Sequence, residues 1–138
     1  MSATILFDVM STLVHDPFYA TMPAYFGLTF EELIRDKHPT AWLEFERGER
    51  DEERFYLDFF RDGRAIDWPG RRDAMERDYV LLPGIRELLD DLRARGADLH
   101  LFSNYSDWYH RIEAATGLSR WARWTFVSCD HGTRKPER

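Results

Sequence analysis

The stretch that decides the fold is ILFDVMSTL, residues 5–13. Its first three residues are apolar, Asp8 follows them directly, and small polar residues come after Met10. An apolar run of this kind, bounded by a polar loop, predicts a short buried strand over residues 4–7. A strand that ends on a carboxylate raises the question of what the carboxylate does, and of why a methionine lies two positions beyond it.

The composition indicates one soluble globular domain. The chain has 138 residues, 43% of them hydrophobic and 32% charged, which is enough for one hydrophobic core but not for two full domains. The net charge of -6 argues against nucleic acid and anionic membrane as partners. No apolar stretch approaches the ~20 residues that span a bilayer. The single cysteine, Cys129, which we expect in a buried strand, allows no internal disulfide. We therefore expect a cytoplasmic protein.

Helix and strand signals alternate over residues 83–138. Apolar residues at helical spacing predict a helix over 85–92, and the runs 99–102 and 124–129 predict a second and a third strand. Strands that alternate with helices indicate a parallel sheet with right-handed crossovers. The predicted fold class is therefore α/β, and this segment together with residues 1–15 forms a Rossmann-like parallel-sheet core.

Residues 16–82 carry helical and aromatic signals instead. Thr29 followed by Glu32 is a capping box, the sequence signature of a helix start. Asp51 can cap a further helix. We expect this segment to be a helical cap that is inserted into the core after the first strand.

Most charged and aromatic residues of the cap have a simple structural interpretation. The aromatic side chains are first of all the core of a small helical domain. The charged run 44–54 is most simply a solvated helix face. Arg71 and Arg72 could contact a phosphate, but their simpler interpretation is also an exposed surface.

Polar side chains follow each predicted core strand. Asp8 follows the first strand, Ser103 and Asn104 end the second, and Lys135 comes a short loop after the third. In open parallel sheets, ligands bind beyond the carboxyl ends of the strands, so we expect these side chains to converge. A carboxylate, a hydroxyl with an amide, and an ammonium suit a nucleophile, donors to an oxyanion, and a cation that offsets developing negative charge.

These motifs resemble the haloacid dehalogenase superfamily. The segments that carry the resemblance are FDVMSTL (7–13), LPGIRELLDDLRARG (82–96), LFSN (101–104) and RKP (134–136). Within that superfamily, the segments FDVMSTLVHDPFY, KHPTAW and WTFVSC are similar to the plant-type flavin mononucleotide hydrolases and their cyanobacterial or algal relatives. The resemblance implies a Mg²⁺-dependent phosphomonoester hydrolase, with flavin mononucleotide (FMN) as the favoured substrate and riboflavin and phosphate as products.

The resemblance also implies a role for each residue at the strand ends. Asp8 would attack phosphorus and become a phospho-aspartyl intermediate, and its carboxylate, with the backbone carbonyl of Met10, would bind Mg²⁺. Ser103 would hold a phosphate oxygen, and Asn104 would assist through its amide. Lys135 would neutralise both Asp8 and the transferring phosphoryl group. The cap would supply the pocket that selects the leaving group, so the implied partner is a small-molecule phosphate ester.

Two features depart from the family's pattern. Its phosphatases usually carry a second aspartate two residues after the nucleophile, as acid and base, whereas this chain has Met10, which cannot exchange protons. His15 or Asp16, just downstream, could take over that role. The further aspartates that follow a fourth strand in the family do not occur before the sequence ends at Arg138. We therefore expect a core that is incomplete at its C-terminus, in a truncated chain that binds Mg²⁺ poorly and has little or no activity.

Two other functions stay open. In a haloacid dehalogenase the aspartate attacks carbon and the halide leaves without a proton, so Met10 is compatible with that reaction. A non-catalytic ligand-binding protein of the same fold is compatible with Met10 and with the missing aspartates. Chloride release from 2-chloropropionate would favour the first, and tight FMN binding without turnover would favour the second.

Overall fold

The computed structural model describes residues 2–137 and contains one sheet of three parallel strands. The strands are β1 (Thr4–Phe7), β2 (Asp98–Ser103) and β3 (Arg123–Val127), and they lie side by side in that order. The described part of the chain also forms α1 (Thr21–Phe26), α2 (Phe30–Asp36), α3 (Ala41–Glu46), α4 (Glu52–Leu57), α5 (Trp68–Arg77), α6 (Ile85–Ala94), α7 (Tyr109–Thr116), α8 (Ser128–His131) and the 3-10 turn Leu118–Arg120. The prediction of an α/β fold with a Rossmann-like parallel sheet is confirmed.

The predicted helix caps are present. The Thr29 hydroxyl accepts a hydrogen bond from the Glu32 backbone N–H at 3.1 Å, and the Glu32 carboxylate accepts one from the Thr29 N–H at 2.8 Å. The Asp51 carboxylate accepts from the Arg54 N–H at 2.8 Å. These bonds satisfy N–H groups that the first turn of a helix leaves without an intrahelical partner, so α2 and α4 begin where the sequence predicts.

The two faces of the sheet are covered unequally. Along β2 the burial alternates, and Leu99 and Leu101 lie in the same hydrophobic core as Leu89 of α6 and Ile112 of α7. Leu6 of β1 is 59% exposed, so the prediction that this strand is buried throughout was wrong. Successive side chains of a strand point to opposite faces. In the described residues, only one face of the sheet at β1 is well covered.

The third strand is shorter than predicted. It ends at Val127, and Cys129 lies half-buried in α8 instead of in a buried strand. The Ser128 hydroxyl donates to the backbone carbonyl of Glu46 at 2.5 Å and accepts from the Tyr105 N–H at 3.0 Å. These long-range contacts take the chain out of the strand at this position.

Aromatic side chains join the five helices between β1 and α6 to the segment that follows β2. Phe45 of α3 stacks on Phe55 of α4 with ring centroids 4.7 Å apart. Trp108 meets Phe45 edge-on at 5.3 Å, and Tyr105 meets Trp42 edge-on at 5.4 Å. Helices α3 and α4 are therefore packed against the segment that follows the carboxyl end of β2. No helix within residues 2–137 is long and apolar enough to cross a membrane.

Candidate active site

Asp8 lies at the start of a tight loop that follows β1. The Val9 carbonyl accepts hydrogen bonds from the N–H groups of residues 12–14 at 3.2, 2.8 and 3.0 Å, and the Ser11 N–H donates to the Val14 carbonyl at 2.8 Å. Val9 and Val14 are fully buried and act as anchors. The loop thus has a fixed shape, while the Asp8 side chain remains 54% exposed and accessible to a ligand.

Asn104 holds the backbone of Lys135 at two points. The Asn104 amide oxygen accepts from the Lys135 N–H at 2.7 Å, and the amide nitrogen donates to the Lys135 carbonyl at 3.0 Å. Both polar atoms of the Asn104 amide are therefore bonded within the protein. This arrangement suits a residue that positions Lys135 better than a residue that contacts phosphate directly. The neighbouring Ser103, at the end of β2, is 1% exposed.

The Lys135 ammonium lies between the first two strands at their carboxyl ends. It donates to the Phe102 carbonyl at 2.6 Å and lies 3.3 Å from Asp8 Oδ1, with which it forms an ion pair. The structure thus brings Asp8, Asn104 and Lys135 together, although Lys135 is 127 residues from Asp8 in the chain. A carboxylate beside a fixed ammonium is suited to attack an anionic group, because the cation offsets the repulsion.

A cavity of about 240 Å³ lies next to this cluster, between the sheet and the helices α1–α5. Met10, Asn104 and Tyr105 contribute its sheet side. The other lining residues are Asp16, Phe18, Tyr19, Met22, Lys37, Trp42, Glu46, Phe59 and Met75. Two wider surface grooves, of about 920 and 720 Å³, include none of Asp8, Asn104 and Lys135 in their walls. We therefore take the smaller, more enclosed cavity as the candidate ligand site.

Two carboxyl groups and one lysine that line this cavity have shifted pKa values. Burial raises the pKa of the Asp16 carboxyl, although a 2.9 Å hydrogen bond from the Phe18 N–H partly offsets the shift. Burial also raises the pKa of Glu46, which accepts hydrogen bonds from Arg134 and from the Trp42 indole, both at 2.6 Å. Burial lowers the pKa of Lys37, as does the nearby Arg61 charge. In each case burial disfavours the charged form.

Of the two residues suggested as substitutes for the missing acid, Asp16 lines the cavity together with Met10. His15 is not among the lining residues, and its backbone N–H donates to the Val80 carbonyl at 2.9 Å. A carboxyl with a raised pKa beside a ligand cavity is a candidate proton donor. The structure therefore favours Asp16 over His15.

Sequence reasoning missed three charged side chains near the cavity. Glu46 is only 5% exposed, so the prediction of a solvated face was wrong at this position, and Lys37 was not singled out. Arg71, predicted on the surface, is fully buried. The sequence did contain one indication that Glu46 is not fully exposed. Trp42 precedes it by four residues on a predicted helix, so the two side chains lie on the same face, and in the structure they form a hydrogen bond.

The residues present fit Mg²⁺ in kind and would supply two of its ligands. The Asp8 carboxylate and the Met10 backbone carbonyl are oxygen donors, which Mg²⁺ prefers, and water and substrate oxygens usually fill the other positions of its octahedron. Among residues 2–137, no group of three or more His, Cys, Asp or Glu side chains could hold a metal ion.

The chain, with its parallel sheet, the loop that presents Asp8 and the paired Lys135, has the fold of haloacid dehalogenase-like (HAD-like) hydrolases of known structure. No protein-family model matches it. Its structure is similar to that of a HAD-like family hydrolase from Porphyromonas gingivalis, with a TM-score of 0.66, 22% identity, and coverage of 99% of this chain and 71% of that one. It is also similar to a HAD family enzyme from Bacteroides thetaiotaomicron in complex with magnesium and inorganic phosphate, with a TM-score of 0.72, 16% identity, and coverage of 99% and 74%.

One curated relative is much closer in sequence. The chain is 47% identical over 133 residues to flavin mononucleotide hydrolase 1, chloroplastic, of Arabidopsis thaliana. The match covers 96% of this chain and 54% of the relative, so the chain spans about half the length of that protein.

Proposed function

We propose that this chain carries the nucleophile and part of the substrate pocket of a Mg²⁺-dependent phosphomonoester hydrolase that converts FMN into riboflavin and phosphate. The observation that carries the proposal is the Asp8 carboxylate, paired with Lys135 at 3.3 Å beside a cavity lined mainly by aromatic and apolar side chains. The Arabidopsis relative, named as an FMN hydrolase, supports the choice of substrate.

In the proposed reaction, an Asp8 carboxylate oxygen attacks the phosphorus of the ester. The new oxygen–phosphorus bond forms a phospho-aspartyl group, and the bond to the ribityl oxygen breaks. Lys135 offsets the charge on the phosphoryl oxygens, and Ser103 holds one of these oxygens. Asn104 fixes Lys135 in place through its two backbone hydrogen bonds. Water then attacks the phosphorus, which releases phosphate and regenerates Asp8.

Asp16 is proposed to move the proton that Met10 cannot. Its neutral carboxyl protonates the departing ribityl oxygen in the first step, and the resulting carboxylate accepts a proton from water in the second. Asp16 is suited to this role because burial raises its pKa, which favours the protonated form needed at the start.

Mg²⁺, held by the Asp8 carboxylate and the Met10 carbonyl, would supply positive charge against the phosphoryl oxygens. Because these two donors fall short of a full set, we expect the chain to bind the ion weakly by itself. We further propose that residues 16–82 act as the cap that selects the leaving group, over a core of residues 1–15 and 83–138. The cytoplasm is the proposed compartment, and imaging of a tagged protein in its own cells tests this.

The test is the release of riboflavin and phosphate from FMN in the presence of Mg²⁺. We would assay the chain itself and a chimera in which the part of the Arabidopsis relative outside the match is joined to it. The Asp8→Asn variant of each protein is the control. The proposal requires Asp8-dependent turnover by the chimera, and it is refuted if a folded chimera releases no phosphate.

The same assay separates the two other functions. Chloride release from 2-chloropropionate, without phosphate release from FMN, would identify a dehalogenase. Tight FMN binding by a folded chimera without any turnover would identify a ligand-binding protein.

A further inference from the structure

Arg71, on helix α5, is buried without a hydrogen-bonding partner for most of its donors. Its relative exposure is 0%, and within residues 2–137 neither Nε nor Nη1 has a hydrogen-bond partner. Nη2 contacts only a weak acceptor, the thioether sulfur of Met22, at 3.3 Å. A guanidinium has five N–H donors, and buried polar groups of folded proteins are normally satisfied. This side chain therefore needs an explanation.

Aromatic rings surround the guanidinium and account for only part of its environment. The Arg71 guanidinium carbon lies 4.5 Å from the centre of the Trp68 ring, 5.2 Å from that of Trp108 and 5.3 Å from that of Phe59. Ring faces attract a cation, but they accept no conventional hydrogen bonds. Burial lowers the pKa of Arg71 to about 10, so the side chain still carries its charge near neutral pH. The result is a buried cation whose N–H groups remain available.

The guanidinium lies directly behind the wall of the candidate ligand cavity. Met22, which touches Nη2, and Phe59, which lies beside the guanidinium, both line that cavity. Tyr105, a further lining residue, pairs its hydroxyl with that of Tyr79 at 2.8 Å. A methionine side chain is unbranched and flexible, so Met22 can change rotamer at low cost and open the way from the cavity to Arg71.

We propose that Arg71 is a substrate-recognition residue that donates hydrogen bonds to the leaving group once Met22 moves aside. The planar, forked guanidinium matches a ligand with two neighbouring acceptor atoms in one plane. The class of ligand is thus a flat heteroaromatic ring with carbonyl oxygens at its edge, a class that includes the isoalloxazine ring of flavins. The aromatic lining of the cavity suits such a ring. This inference rests on the proposed function and specifies which end of the substrate the cap reads.

The alternative is that Arg71 is only part of the core, held by the three rings. The two interpretations differ in what an apolar replacement of similar length does. If Arg71 serves a ligand, Arg71→Met removes an unsatisfied buried charge, so it leaves the urea midpoint unchanged or raises it and weakens riboflavin binding. If Arg71 is purely structural, the same variant lowers the urea midpoint and leaves binding unchanged.

The experiment measures riboflavin binding through its fluorescence, together with urea unfolding, in the wild-type chain and in Arg71→Met. We expect the dissociation constant to rise by about tenfold or more, the range typical of losing a charge-assisted hydrogen bond. Arg77→Met, on the exposed side of the same helix, is the matched control and should leave binding unchanged. Phenazine, a flat tricycle without carbonyl oxygens, should bind the wild type and Arg71→Met equally.

Each outcome decides one of the two proposals. Riboflavin binding by Arg71→Met within about twofold of the wild type would overturn this inference and leave the proposed function standing. A wild-type chain that binds neither riboflavin nor FMN would overturn the substrate assignment, and this inference with it. If Arg71→Met does not fold, Arg71→Lys replaces it, because lysine keeps the charge but loses the forked donor geometry. Unchanged riboflavin binding by that variant would also count against the inference.

Discussion

Asn104→Ala is expected to release Lys135 from its position beside Asp8. The substitution removes both hydrogen bonds between the Asn104 amide and the Lys135 backbone, at 2.7 and 3.0 Å. Each such bond contributes about 0.5–1.5 kcal/mol net, so the docked position of Lys135 should lose roughly 1–3 kcal/mol. Since 1.36 kcal/mol corresponds to a factor of ten, local opening at Lys135 should become about 5- to 150-fold more frequent.

Amide hydrogen exchange measures this directly, because the Lys135 N–H is the donor to the Asn104 side chain. Asn104→Asp is the matched variant, since it keeps an acceptor for this N–H and loses the donor to the Lys135 carbonyl. It should retain more protection than Asn104→Ala. Thr133→Ala controls for a nearby substitution, because the Thr133 hydroxyl makes only a long 3.4 Å contact. Unchanged exchange at Lys135 in Asn104→Ala would refute the positioning role.

Further outcomes are expected for Asp8, for Mg²⁺ binding, for Asp16 and for Ser128. Asp8→Asn should abolish FMN turnover by the chimera. It should change the free energy of unfolding by less than about 1 kcal/mol, because the ion pair between Asp8 and Lys135 is exposed. A larger loss of stability in urea unfolding would show that Asp8 has a structural role. Isothermal titration should detect only weak Mg²⁺ binding by the chain alone, and tight binding would contradict the incomplete ligand set. In Asp16→Asn, FMN turnover by the chimera should fall by about 10²–10⁴-fold, but much less with aryl phosphates, whose leaving groups need no proton. The pKa of Asp16 is raised in the folded state, so this carboxyl stabilises the folded state at low pH. The contribution is lost as the pH rises from about 3.8, the ordinary pKa of an aspartate, through the raised pKa of the folded state. In urea unfolding above this pH range, Asp16→Asn should therefore be more stable relative to the wild type than it is at low pH. Ser128→Ala should lower the free energy of unfolding by about 1–3 kcal/mol, because the Tyr105 N–H would be left buried without its acceptor, and an unchanged urea midpoint would contradict this.

Local patterns predicted much of the fold. The capping box at Thr29 and Glu32 and the cap at Asp51 are bonds between residues three apart, so they can be read directly from the sequence. The end of the third strand could not be read in this way. Residues 124–129 continue a strand-like pattern, but Ser128 bonds to residues 23 and 82 positions away and ends the strand early.

In the candidate site, too, some features could be predicted from the sequence and others depend on tertiary packing. Asp8, Asn104 and Lys135 could be expected to meet because parallel strands present their carboxyl ends at one edge of the sheet. The burial of Glu46 and Arg71 could not be expected, since a charged residue in a helix is normally exposed and only tertiary packing decides otherwise. Arg71, the residue proposed to recognise the leaving group, is therefore one whose burial the sequence did not indicate.

Met10 and Asp16 are best understood together. The loop after Asp8 folds back on the Val9 carbonyl, so the chain soon leaves the sheet edge and enters the segment that leads to α1. Asp16 thereby lines the same cavity as Met10, although six positions separate them. In this arrangement the Met10 side chain forms part of the cavity wall, and the Asp16 carboxyl, whose pKa burial raises, lines the same cavity. Under the proposed function, Asp16, the first residue of the proposed cap (16–82), takes the role of proton donor beside the Met10 side chain that cannot fill it.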